Sequence, residues 1–182
     1  MADPDPPLRA DARRNRQRVL QAAREVFAES GFGAPLDEIA ARAGVGAGTV
    51  YRHFATKEAL FEAVATARVA DLVASAQRLA TRADPGAAFF DFLAQLGAEA
   101  EAKRDTSDAI AVPGALRDTM QDALSLLLSR ARQAGAVRPE VTTADLISII
   151  KGLLIAAHDD AEPGRPARLL TIVIAGLRTD RP

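Results

Sequence analysis

The segment Leu36–Phe54, LDEIAARAGVGAGTVYRHF, leaves the chain little freedom in how it folds. Two short helical stretches, about Leu36–Ala43 and Ala47–Phe54, are separated by Gly44, Val45 and Gly46. Short helices joined by so tight a turn form a helix-turn-helix. Ala40 is small where the two helices cross. Gly44 sits where the turn needs a left-handed backbone, which glycine adopts without steric cost. Val50, ten residues after Ala40, plugs the second helix onto the first. Ile39 and Val45 fill the same small core, and Phe54 closes it. An ordinary αα-hairpin would share the glycine turn but has no need of the other positions.

The rest of the chain is predicted to be helical as well, giving an all-α protein with about nine helices. The 182 residues include forty alanines, the residue with the highest intrinsic helix propensity. Residues 1–11 hold three prolines and no apolar period, and read as a disordered arm. From Arg13 to about Ser30, Val19, Ala22, Ala23, Val26 and Phe27 fall on one helical face, and Gly31 ends the helix. Thr56 is an N-cap for a long helix reaching about Arg82, and Asp84-Pro85 starts another that ends near Lys103. A weak turn over Thr106–Val112 precedes a helix that starts at Pro113-Gly114 and is closed by Gly135. Thr142-Thr143 caps a helix over Ala144–His158, and the last spans about Ala167–Arg178. These elements divide into the arm, a helix-turn-helix domain over 12–66 and a larger body over 67–182.

The formal net charge is −1, but it is unevenly spread. Between Ala12 and Lys57 eight basic residues face four acids, a local +4 that leaves −5 for the remainder. A basic head on a mildly acidic body fits a local anionic partner. The second helix of the motif starts with the small residues Gly46, Ala47 and Gly48. They let the positive end of its dipole come close to the major groove of duplex DNA. Thr49 can donate to a phosphate or meet a thymine methyl. Arg52 carries the fork that pairs bidentately with guanine O6 and N7. Lys57 opposes the helix dipole in the first turn of the long helix, and a phosphate there would explain a cation. Arg13, Arg14 and Arg16 can track phosphates or enter the minor groove. Each residue also has a plainer reading: Arg52 and the arginine cluster as solvated surface, Tyr51 as an inward-packed aromatic, His53 as a half-buried structural histidine.

The stretch GFGAPLDEIAARAGVGAGTVYRHFATKEALFEAV resembles the DNA-binding head of the tetracycline-repressor (TetR-type) transcriptional regulators, and the likeness covers roughly Arg13–Thr66. It is carried by Gly31-Phe32, Ile39-Ala40, Ala43-Gly44-Val45, Gly48-Thr49-Val50-Tyr51, His53-Phe54 and Lys57-Glu58. The resemblance implies a homodimer whose paired heads bind a palindromic operator in double-stranded DNA, and a C-terminal bundle that binds a small effector. It also implies that Tyr51 and His53 hydrogen-bond the phosphate backbone. Two departures stand out. Pro35-Leu36 occupies the place where the family usually has a hydroxyl residue. Gly46-Ala47 replaces the family's Ser followed by a basic residue, which removes one basic contact and leaves glycine as the N-cap.

In the body, LISIIKGLLIAA (146–157) and LLTIVIAGL (169–177) are apolar nearly all round. Such helices must be buried on every side. Pairing them with the same helices of a second chain makes a two-fold four-helix bundle. The expected interface is Ile149, Gly152, Leu153, Ala156, Leu170, Ile174 and Leu177; the alternative is a monomer that uses these helices for its own core. An effector pocket is expected between the helices of 85–103 and 113–134, lined by Phe89, Phe92, Leu93 and Leu96 on one side and Met120, Leu124 and Leu127 on the other. Its composition suits an apolar or aromatic molecule, though the same stripe also fits plain core.

Composition excludes other classes. Cysteine is absent, which removes disulfides, thiolate metal sites and cysteine nucleophiles, and fits a reducing cytoplasm. The N-terminal MADPDPPLRADARR has no apolar core of a secretory signal, and the longest apolar run is too short to cross a bilayer. Only two histidines are present. His53 lies in the motif, and His158 with Asp159, Asp160 and Glu162 reads as solvated loop charge before it reads as a metal site. No enzyme activity and no cofactor are expected, and a helical adaptor that binds only protein is the remaining alternative.

Overall fold

The computed structural model describes residues 7–101, 114–158 and 165–179. It contains eight helices: α1 (Pro7–Ser30), α2 (Leu36–Ala43), α3 (Ala47–His53), α4 (Lys57–Leu79), α5 (Pro85–Glu101), α6 (Gly114–Gln133), α7 (Thr143–His158) and α8 (Arg165–Leu177). No strand occurs among the described residues, and the chain is all-α as expected. The turn expected at 106–112 lies outside the described residues.

The start of α1 corrects the sequence reading. The helix begins at Pro7, so 7–11 belong to it and not to a disordered arm. Proline is preorganised for a first helical position, where its missing N–H costs nothing. The apolar period begins only at Val19, so the earlier turns carry no core-facing signal.

The chain divides into two compact units, meeting between Ala67 and Arg68 within the α4 sequence. In the first unit, Val19, Ala22, Ala23, Val26 and Phe27 of α1 are all buried against Ile39, Ala40 and Ala43 of α2 and Val50 of α3. Burying Val50 alone is worth roughly 1.5–3 kcal/mol. Gly31 ends α1 with φ 66°, and Phe32 then stacks edge-on against Phe61, their centroids 5.1 Å apart. Gly44 ends α2 with φ 63° and ψ 39°. The N–H of Val45 donates to the Ala40 carbonyl (3.0 Å) and that of Gly44 to Ala41 (3.1 Å), a Schellman closure. Thr56 caps α4 as expected, its Oγ1 accepting from the Ala59 N–H at 3.1 Å.

In the second unit α5 is the central element, packed by α6, α7 and α8. Phe89 and Phe92 are fully buried, with Leu124, Leu127 and Leu128 of α6, Leu146 of α7 and Leu177 of α8. Asp84 caps α5, its Oδ1 accepting from the Ala87 N–H (2.9 Å). Gly135 (φ 68°) closes α6, the N–H of Ala136 donating to the Ala131 carbonyl at 2.9 Å. Thr142 caps α7 reciprocally with Asp145: Thr142 Oγ1 accepts from the Asp145 N–H (3.2 Å), and the Asp145 carboxylate accepts from the Thr142 N–H (2.9 Å) and Oγ1 (2.6 Å). An isolated bridge between Val137 and Arg178 fastens the end of α8, with Arg138 N–H donating to the Leu177 carbonyl at 3.1 Å.

Candidate nucleic-acid interface

Helix α3 is held from beneath and open above. Val50 points into the core at 1% exposure, and Phe54, at the helix end, is buried beside it. One residue on, Tyr51 is 54% exposed, so it does not pack inward. Arg52 is also exposed, while Thr49 and His53 are half-buried, His53 with its ring 6.5 Å from that of Phe54. The helix starts at Gly46 (φ −72°, ψ 149°) with no side-chain cap, and the Thr49 N–H donates to the Gly46 carbonyl at 2.8 Å. A Cβ at Gly46 or Gly48 would meet nothing within 4 Å. The chain itself therefore does not require these glycines for packing; they leave a thin, donor-rich helix end facing outward.

The neighbouring cations are individually placed. Lys57, in the first turn of α4, lies over the Phe32 ring, its Nζ 4.8 Å from the centroid. This cation–π seat is a second reason for a lysine at a helix start, besides the expected phosphate. Arg16 lies over the Phe54 ring at 5.1 Å, beside the end of α3. Arg14 pairs with Asp11 on the same helix, and Arg13 is exposed one turn before Arg16. Arg18 Nη2 donates to the Gly44 carbonyl at 3.2 Å and so supports the turn itself. The structure thus brings Gly46, Gly48, Thr49, Tyr51, Arg52, His53 and Lys57 together in the first unit, with Arg13 and Arg14 on its first helix. The roles of Arg18 and Phe32 were not legible in the sequence, because each depends on a partner far along the chain.

The second unit holds a cavity of about 250 Å³ between α5, α6 and α7. Phe92, Leu96, Met120 and Leu124 line it, together with Ile147 and Ile150. Arg117, Gln121 and Lys151 also line it. Phe89, Leu93 and Leu127 do not line this cavity; they are packed in the core. Leu93 instead borders a second space of about 20 Å³, together with Ile149, Leu153, Leu170 and Leu177. That is room for little more than one water.

The expected interface residues divide in consequence. Leu177 is 5% exposed and belongs to this chain's own core, which corrects its assignment to a partner-facing surface. Leu170 packs on α5 at Gly97, Ile149 and Leu153 turn toward the small cavity, and Ile174 packs against the core. Gly152 is exposed, and the side chain of Ala156 lies outside the described residues. The outward apolar residues are Ile155 and Ile172, 71% and 62% exposed. The side chain of His158 and residues 159–164 lie outside the described residues. Among the described residues no group of acids and histidines is arranged to hold a metal ion, and no helix is long and apolar enough to cross a membrane.

Comparison with known proteins agrees with this geometry. The family "Bacterial regulatory proteins, tetR family" matches residues 19–64, and "Transcriptional regulator SbtR-like, C-terminal domain" matches residues 84–179. The HTH-type transcriptional regulator UidR of Escherichia coli is 29% identical over 196 residues, covering 94% of this chain and 97% of that protein. A crystal structure of a TetR transcription regulatory protein from Mycobacterium vanbaalenii is 40% identical, with a TM-score of 0.72 over 95% of this chain and 100% of that one. The TetR transcriptional regulator SCO0520 from Streptomyces coelicolor is 33% identical, with a TM-score of 0.74 over 91% and 99%. These relatives are all regulators of transcription. The chain belongs to the tetR family of bacterial regulatory proteins: it is a DNA-binding, helix-turn-helix regulator of transcription.

Proposed function

We propose that the chain is a homodimeric repressor whose two heads occupy inverted half-sites of a palindromic operator, and which a small apolar or aromatic effector releases. The observation that carries this reading is α3, seated through Val50 while Tyr51 and Arg52 stand out from the surface. In that role Arg52 reads a base edge, most simply guanine. Thr49, Tyr51, His53 and Lys57, with Arg13 and Arg14, fix register on the phosphates. Gly46 and Gly48 let the helix end approach the groove. Residues 12–66 form the DNA-binding domain and 67–182 the effector and dimerisation domain.

The exposed Ile155 and Ile172, with the small Gly152, Ala175 and Gly176 on the same two helices, support self-association through α7 and α8. A two-fold pair of heads suits half-sites one or more helical turns apart, about 34–36 Å per turn. The cavity of the second unit takes the effector. Release follows if the effector binds more tightly to a dimer whose heads no longer match the operator.

The test is selection of bound genomic DNA fragments by the purified, full-length protein. The expected result is one enriched motif of two inverted half-sites, displaced from the protein by its effector. Absence of any enriched motif with a folded dimer in hand overturns the reading.

A further inference from the structure

Building on the reading of the second unit as an effector domain, we propose that its cavity recognises an amphipathic anion: a small hydrocarbon body ending in an acidic headgroup, with Lys151 and Arg117 as the headgroup's partners. The apolar run 146–157 carries a single charge, Lys151. The fold places that charge at the wall of the cavity, beside Ile147 and Ile150. Arg117 stands in the first turn of α6, a turn with no acidic residue.

The polar wall has one character. Among the described residues that line it, the two charges are both positive, and the third polar group, Gln121, has an amide that can donate. Asp118 and Asp122 are exposed on the same helix and do not line the cavity. The other described lining residues are apolar, from Phe92 and Leu96 to Ile150. Hydrocarbon buried there is stabilised in proportion to the area removed from water. Because Lys151 and Arg117 are exposed, a headgroup between them keeps part of its hydration and escapes the full cost of burying a charge. A cationic ligand of the same shape would be repelled, and a neutral one gains no charge pairing. The volume of about 250 Å³ is below the ~300–1,000 Å³ common for ligand sites, which favours a short ligand.

Calorimetric titration of the full-length protein with decanoate, decan-1-ol and decylamine tests this. Decanoate is expected to bind at least about tenfold more tightly than decan-1-ol, in keeping with a charge-assisted hydrogen bond. Lys151→Gln should remove most of that preference without weakening decan-1-ol, Lys151→Arg should retain it, and Arg117→Gln should reduce it. The anion inference is overturned if decan-1-ol matches decanoate, if decylamine binds best, or if Lys151→Gln leaves the preference intact. In those cases the effector cavity itself still stands, provided that a filling substitution, Leu124→Trp, abolishes binding. If none of the three ligands binds, the inference and the effector reading of this cavity fall together.

Discussion

Arg18 on α1 holds the turn of the helix-turn-helix, its Nη2 donating to the carbonyl oxygen of Gly44 at 3.2 Å. The same guanidinium occupies the space beside Gly44, where a Cβ would meet Nη2 at 2.5 Å. Gly44 therefore serves two demands: a left-handed backbone and a clear path for Arg18.

Gly44→Ala is expected to destabilise the protein by about 1–2 kcal/mol, chiefly through backbone strain at φ 63°. Part of the cost is the displaced arginine. The double variant Arg18→Ala, Gly44→Ala should therefore lose less than the sum of the single losses. Urea unfolding of all four proteins measures the difference, and strict additivity would deny the contact.

The seat of Lys57 on Phe32 makes a prediction about DNA. Lys57→Gln should weaken binding to operator and non-specific duplex alike, and reduce the salt slope of log K by about one. Phe32→Leu removes the aromatic face and leaves the charge in place. It should weaken binding less, and add little on top of Lys57→Gln. Anisotropy titrations across a salt series distinguish these outcomes.

At the start of α7, hydrogen bonds from the side chain and then the backbone of Thr142 hold the Asp145 carboxyl below its ordinary pKa. A carboxyl depressed in the folded state contributes stability above its unfolded pKa, about 3.9, and loses it as pH falls through the lower folded value. Asp145→Asn should therefore lower the melting temperature at pH 7, and the difference from the parent should shrink as pH is taken below 4. A difference that grows on acidification would contradict the reciprocal cap.

Gly97 lets α8 lie close on α5. A Cβ there would stand 2.2 Å from Leu170 Cδ2. Gly97→Ala should cost about 1–3 kcal/mol as an overpacked contact. Leu170→Ala should relieve that clash, so that the second substitution is less damaging in the Gly97→Ala background than alone. Thermal unfolding of the single and double variants gives the coupling.

Much of the fold was legible because its signals are local. Gly44 ends α2 by a backbone conformation that few other residues tolerate, and Thr56, Asp84 and Thr142 cap their helices within three residues of themselves. The beginning of α1 was not legible, since no core-facing period precedes Val19. The third wall of the cavity was hidden for a different reason. Apart from Lys151 the run 146–157 is apolar on every side, so its sequence cannot say which residues turn to α5 and α6 and which face outward. Only the packed structure puts Ile147, Ile150 and Lys151 at the cavity and leaves Ile155 exposed. Leu177 illustrates the same ambiguity, being small-cavity wall and core where a partner-facing residue was expected.

The most direct measurement is the affinity of the double variant Tyr51→Ala, Arg52→Ala for the DNA motif selected by the parent protein. Both side chains are exposed, so the variant should keep the parent's helical content and melting temperature. Its affinity for that motif should fall by about a hundredfold or more, with most of its preference over unrelated duplex lost. A folded variant that binds the motif as tightly as the parent would show that the outer face of α3 does not read DNA.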